Sequence, residues 1–180
     1  MFHMHLMMQN TRSMSKRNFP ALLAEIRTLV ETVPSLVALQ EFIVENIGRK
    51  LPGYDWVGFY MLDPEDHSSL VLGPFLGTPT PHVRISVNLG ICGAAVVEGR
   101  TIIVDDVSRD PRYLSCSIHT KSEIVVPIRV RGRIFGEIDV DSHQLKAFGS
   151  ADRAFLEECA ELVGGYIEKR TSVESRSLPA

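Results

Sequence analysis

The spacing of apolar positions changes period along the chain, and the changes mark out its elements. Leu22, Leu23, Ile26, Leu29, Val30 and Val33 recur at helical intervals, which predicts a helix that Pro34 ends. Ser35 is placed to cap a second helix with Leu36, Leu39, Phe42, Ile43 and Ile47 on its apolar stripe, and Pro52-Gly53 breaks it. Tyr54 to Leu62 is rich in aromatic and β-branched residues and reads as a strand. Asp63 to Asp66 turns into a second strand around Ser69 to Leu72, and a loop marked by Gly73, Pro74, Gly77, Pro79 and Pro81 leads to a third, His82 to Val87. Gly90 to Val97 predicts a short helix and Thr101 to Val104 a fourth strand. Asp105 to Thr120 is irregular, with one helical turn expected near Tyr113. Ser150 is expected to cap a last helix with Phe155, Leu156, Cys159, Leu162, Val163 and Ile167 inward.

Between these lies the most informative stretch, Ser122 to Ser142, in which two β-rich runs flank Arg131-Gly132-Arg133 and predict a hairpin. With Val130 opposite Ile134, one face carries Ile124, Val126, Ile128, Val130, Ile134, Gly136, Ile138 and Val140. The other face then sets Glu123 opposite Asp141, Val125 opposite Asp139, and Pro127 opposite Glu137. Like charges directly opposite destabilise a strand pair, so such a place protonates a carboxyl or binds a cation. Glu137 is expected at a sheet margin, facing solvent. Helices, then strands with hairpin-type connections, then a helix predict an α+β domain built on an antiparallel sheet.

The length of 180 residues suits one domain, placed at 17–170 between polar tails at 1–16 and 171–180. A net charge of -3 leaves no footprint for nucleic acid or an anionic membrane. No apolar run approaches the ~20 residues of a spanning helix. Residues 1–16 lack the apolar core of a signal peptide, so a cytoplasmic location with reduced thiols is expected.

Three cysteines carry different expectations. Cys116 lies in an irregular segment between Arg112 and Lys121, where cations favour a thiolate; the alternative is an incidental loop cysteine. Cys92 stands near a helix N-terminus, where the dipole lowers a thiol pKa; the alternative is a small buried residue in a glycine-rich turn. Cys159 falls on an apolar stripe and belongs to the core. Trp56, Gly58 and Tyr60 share one strand face, either as aromatic core or as a ligand wall. His82, His119 and His143 lack metal-ligand spacing with Cys92 or Cys116, and no metal or bound cofactor is expected.

Together, Asp55 to Tyr60, Leu70 to Phe75, Gly90 to Gly93, Asp105 to Val107, Cys116, Ser122 to Pro127 and Ile138 to Ser142 resemble the GAF-domain free methionine-(R)-sulfoxide reductase family. The resemblance runs from about Ala21 to Lys169. It implies a GAF-like antiparallel sheet flanked by helices and enclosing a small pocket. It also implies that Cys116 attacks the sulfoxide sulfur, leaving methionine and a cysteine sulfenic acid that a second cysteine resolves for thioredoxin or another thiol to reduce. Glu123, Asp139 and Asp141 match the acids that hold the substrate ammonium and protonate its oxygen, and Trp56 and Tyr60 match aromatics near its methyl group. A role in oxidative stress follows from that activity, and a homodimer is compatible with it.

One departure stands out. The family commonly carries a further cysteine ten residues before the one matching Cys92, and here that position is His82. Three readings stay open: Cys92 resolves Cys116, an external thiol reduces the sulfenic acid directly, or the pocket survives as a non-catalytic GAF sensor module. Because Cys159 is assigned to the core, any disulfide formed in turnover is expected to join Cys92 to Cys116.

Overall fold

The computed structural model describes residues 17–115 and 117–177; Cys116 and the tail expected over 1–16 lie outside them. The described chain folds as α1 (Phe19–Val30), α2 (Leu36–Lys50), β1 (Trp56–Leu62), β2 (Ser69–Leu76), β3 (Arg84–Ser86), α3 (Gly90–Glu98), β4 (Ile102–Val104), β5 (Ser122–Val130), β6 (Arg133–Ser142) and α4 (Ser150–Ser177). Its six strands form one antiparallel sheet in the order β3-β2-β1-β6-β5-β4, so β1 and β6 are central.

Local chemistry explains most boundaries. Ser35 caps α2 by accepting from the Ala38 N–H at 3.2 Å. β2 runs past the expected break at Gly73-Pro74, because the register against β1 shifts between Gly58 and Tyr60. That bulge leaves Pro74, which has no N–H to donate, out of the ladder. A turn does close at Tyr113, whose N–H donates to the Asp110 carbonyl at 3.1 Å, but the regular 3₁₀ turn lies earlier, at Val107–Arg109, where the Asp106 carboxylate accepts from the Ser108 N–H at 3.1 Å. Ser150 is the first residue of α4, not its cap, and the Asp152 carboxylate accepts from the Gly149 N–H at 2.9 Å. The helix continues to Ser177, so residues 171–177, expected in a polar tail, are helical.

The sheet's two faces differ. On one, Val57 and Phe59 of β1, Ile138 and Val140 of β6, and Ile124, Val126 and Ile128 of β5 are buried beneath α1, α2 and α4. Cys159 is fully buried in this core, as its stripe position predicts. A buried cluster ties the start of the described chain to α4: Asp152 accepts from the Tyr54 hydroxyl at 2.8 Å and pairs with Arg17. The other face is covered by α3, and its apolar cluster joins Trp56, Tyr60, Cys92, Val104 and Val125.

The β5–β6 hairpin keeps the anticipated register from Ser122↔Ser142 to Ile128↔Gly136. A bulge after Ile128 then places Val130 opposite Arg133, not Ile134. Arg131 and Gly132 both have positive φ, at 49° and 79°, which makes a two-residue type I′ turn whose twist matches the strands.

Helix α4 approaches the sheet most closely at Gly164, where an added Cβ would lie 2.2 Å from the Arg129 carbonyl oxygen. Gly164→Ala is therefore expected to lower stability by about 1–3 kcal/mol, while Gly165→Ala, with nothing within 4 Å of its added Cβ, should be neutral or stabilising by about 0.5–1 kcal/mol. Thermal melts of the two variants check this; equal melting temperatures would remove the close approach as a constraint.

Candidate functional site

The alternation of β6 sends Glu137, Asp139 and Asp141 to the α3 side of the sheet, and β5 adds Glu123 directly opposite Asp141. On the other flank β1 sets Trp56 opposite Asp141, Gly58 opposite Asp139 and Tyr60 opposite Glu137. All four acids are buried. Glu137 is 0% exposed, which corrects its expected place at a solvent-facing margin. Helix α3 packs over this face of β5 and β6, so a mid-strand side chain there is shut off from water.

The aromatics form one wall. The Trp56 indole lies across Gly58, where an added Cβ would meet it at 2.3 Å, and it stacks between Tyr60 and Phe75 at centroid distances of 6.3 and 5.7 Å. Its Nε1 donates to the Thr78 carbonyl at 3.1 Å, and the Tyr60 hydroxyl donates to the His82 carbonyl at 2.8 Å. These bonds pin the 78–82 loop against the acidic face. His82 Nε2 lies 3.1 Å from the carbonyl of Ser115, so the half-buried His82 bridges two loops at the site.

Cys92, in the first turn of α3, points down at the acids, its Sγ 3.7 Å from Asp139 Oδ2. It is buried, and burial pushes its thiol well above the usual range, with Asp139, Glu137 and Glu123 pushing the same way. The expectation of a thiol lowered by the helix dipole is thus overturned. Desolvation and three nearby carboxyls outweigh a half-charge at a helix end.

Burial dominates the acids too. It raises Glu137 to about 8, and raises Asp141 to about 7 with Asp55 adding to the push and the Thr120 hydroxyl opposing it. Glu123 and Asp139 are raised well above the carboxylate range, by burial first and then by their acidic neighbours. Neither Glu137 oxygen has a hydrogen-bond partner, and Asp139 Oδ1 has none. Burial thus favours the protonated form of each carboxyl, with Asp141 titrating closest to neutral pH.

Asp55, Trp56, Thr78, Thr80, Ser117, Thr120, Asp141 and His143 line a polar cavity of about 20 Å³ beside the cluster, room for roughly one water molecule. The structure therefore brings together six of the expected site residues, Trp56, Tyr60, Cys92, Glu123, Asp139 and Asp141; the seventh, Cys116, lies outside the described residues. Sequence reasoning missed Glu137, although its parity with Asp139 and Asp141 was the signal. It also missed Asp55, Thr120 and His143 at the cavity, which no local pattern marks.

Comparison with known proteins places this geometry. The GAF domain family model matches residues 35–167. The free methionine-R-sulfoxide reductase of Escherichia coli is 33% identical over 142 residues, 79% of this chain and 79% of that protein. Protein YtsP of Bacillus subtilis is 35% identical over 146 residues, 81% of this chain and 88% of that protein. The structure of free methionine-R-sulfoxide reductase from Neisseria meningitidis in complex with its substrate superposes with a TM-score of 0.80 at 33% identity, covering 86% of this chain and 91% of that one. The antiparallel sheet, its helices and the matched relatives agree: the chain belongs to the GAF domain family, in the group that contains the free methionine-R-sulfoxide reductases.

Proposed function

We propose that the protein reduces free methionine-(R)-sulfoxide to methionine with thiol electrons. The observation that carries this is the cluster of four buried carboxyls walled by Trp56 and Tyr60. Sulfoxide reduction needs an acid at the oxygen and carboxylates for the substrate ammonium, in a setting from which water is excluded.

In the proposed sequence the Cys116 thiolate attacks the sulfoxide sulfur while Asp141 or Glu123 protonates the oxygen. The attack joins the two sulfurs. The protonated oxygen then passes from the methionine sulfur to the Cys116 sulfur as the S–S and original S–O bonds break, so methionine leaves and Cys116 is left as a sulfenic acid. A thiol then attacks that sulfur and releases water, forming a disulfide that thioredoxin or another dithiol reduces. Asp139 and an ionised partner hold the ammonium group, and Trp56 and Tyr60 pack the methyl end. A cavity of about 20 Å³ is too small for the substrate, so Thr78 and Thr80 must part from Ser117 and Thr120 to admit it.

The burial of Cys92 favours an external thiol over Cys92 as the resolving nucleophile, because an attacking thiol must first ionise and burial opposes that here. Cys116→Ser is expected to abolish turnover of free methionine-(R)-sulfoxide, whereas Cys92→Ser should keep dithiothreitol-driven turnover. Near-native rates in Cys116→Ser would overturn the mechanism. Recovery of a Cys92–Cys116 peptide after one turnover would restore Cys92 as the resolving thiol.

Glu123→Gln and Asp141→Asn should each lower the rate by roughly 10²–10⁴, the usual worth of a positioned acid, with unchanged or higher melting temperatures. Little change in rate with a large loss of stability would make these acids structural.

The raised carboxyls also set a pH dependence. Each binds a proton in the folded chain at pH values where the unfolded chain has released it. Their stabilising contribution is thus complete below an unfolded value of about 4 and is lost as pH rises through about 7 for Asp141 and about 8 for Glu137. The melting temperature should therefore fall between about pH 5 and pH 8, at roughly 2–4 °C per kcal/mol. Glu137→Gln should flatten that fall; parallel curves for the two proteins would show that Glu137 does not hold its proton.

A further inference from the structure

We infer that Cys92, Glu123 and Asp139 form a binding site for a thiophilic divalent cation of the zinc class. One donor atom from each residue, a thiol sulfur and two carboxylate oxygens, lies within 4.8 Å of the other two, and all three side chains are buried. The donors come from three different elements, α3, β5 and β6, each held by the packing already described, so the cluster is pre-arranged. In tetrahedral coordination with Zn–S of ~2.3 Å and Zn–O of ~2.1 Å, the sulfur–oxygen edge is ~3.6 Å. The Cys92 Sγ to Asp139 Oδ2 distance is 3.7 Å.

A second observation points to a ligand. Both oxygens of Glu137 and Oδ1 of Asp139 are buried without a hydrogen-bond partner. Buried carboxyl oxygens with nothing to bond are costly unless something fills them. Glu137 shares the strand face of Asp139, two residues away on β6, and its carboxyl lies beside the thiol. A thiolate among carboxylates selects zinc, cobalt or cadmium over the harder magnesium and calcium. On binding, the Cys92 S–H bond is replaced by a sulfur–metal bond and the proton passes to solvent.

The site stands on these donors alone. Its consequence, exclusion of substrate from the carboxyls, rests on the function proposed above. The reduced full-length chain carrying Cys116→Ser is titrated with Co²⁺ and followed by ultraviolet–visible absorption. The expected result is one equivalent bound with a thiolate-to-cobalt charge-transfer band, bleached when Zn²⁺ displaces the cobalt. The band should vanish when Cys92→Ser is added, and binding should weaken at least tenfold in Asp139→Asn, whose shape is conserved and whose fold is checked by circular dichroism. Absence of a thiolate band, or a band that survives Cys92→Ser, overturns the site. Sulfoxide turnover by the unsubstituted chain is measured separately. Turnover without a cobalt band rejects the site and leaves the function standing; a band without turnover does the reverse.

Discussion

The structure depends on keeping carboxyl groups neutral in the middle of a sheet. Glu137, Asp139 and Asp141 occupy the central strand β6, with Glu123 beside them on β5, all away from bulk water. Four ionised groups there would repel one another through a weakly screening interior and forfeit their hydration, each a matter of several kcal/mol. Protonation removes that cost, and each proton remains available to chemistry. A site of this kind stores acid strength at a pH where free carboxyls have none.

Such a cluster is tolerable because the opposite face of the same strands is uniformly apolar. Ile138 and Val140 alternate with the acids along β6, and Ile124, Val126 and Ile128 share their face along β5, all of them buried under α1, α2 and α4. Full burial of such side chains contributes about 1.5–3 kcal/mol each, enough to hold the register while the other face carries unfavourable groups. That register is itself what gathers the acids. A one-residue slip would send Ile138 toward α3 and the carboxyls into the main core, so the function of one face is secured by the packing of the other.

Much of this was legible in the chain because period-two alternation is unambiguous once the turn is located. The pairing Glu123↔Asp141 and the sharing of a face by Asp139 and Asp141 followed from counting back from Arg131-Gly132-Arg133 with Val130 opposite Ile134, one residue too long at the tip, which the bulge after Ile128 makes good. The tip bulge was not visible, since Phe135 fits either register locally. Nor was the burial of Glu137, because strand order is a tertiary fact: β1 pairs with β6 across some 80 residues of sequence. For Cys92 the buried alternative holds and the lowered thiol does not, for a related reason. Its helix position was readable, but the carboxyls across the sheet that raise it were not known to face it.

The contrast between Cys92 and His82 shows how neighbouring positions divide the work of the site. Cys92 is sealed beneath α3 with its sulfur against Asp139, a setting that suppresses the thiolate unless a cation or a second charge enters. His82 sits at the margin, its carbonyl tied to Tyr60 and its ring beside the Ser115 carbonyl, where a thiol would have been accessible. With an imidazole at that place, the accessible side chain joins two loops by hydrogen bonds and not by redox chemistry. In the proposed reaction, electrons for the sulfoxide then come through a thiol that can reach the opened pocket. The same proposal makes the opening of the cavity at Thr78, Thr80, Ser117 and Thr120 the step that also admits the reductant.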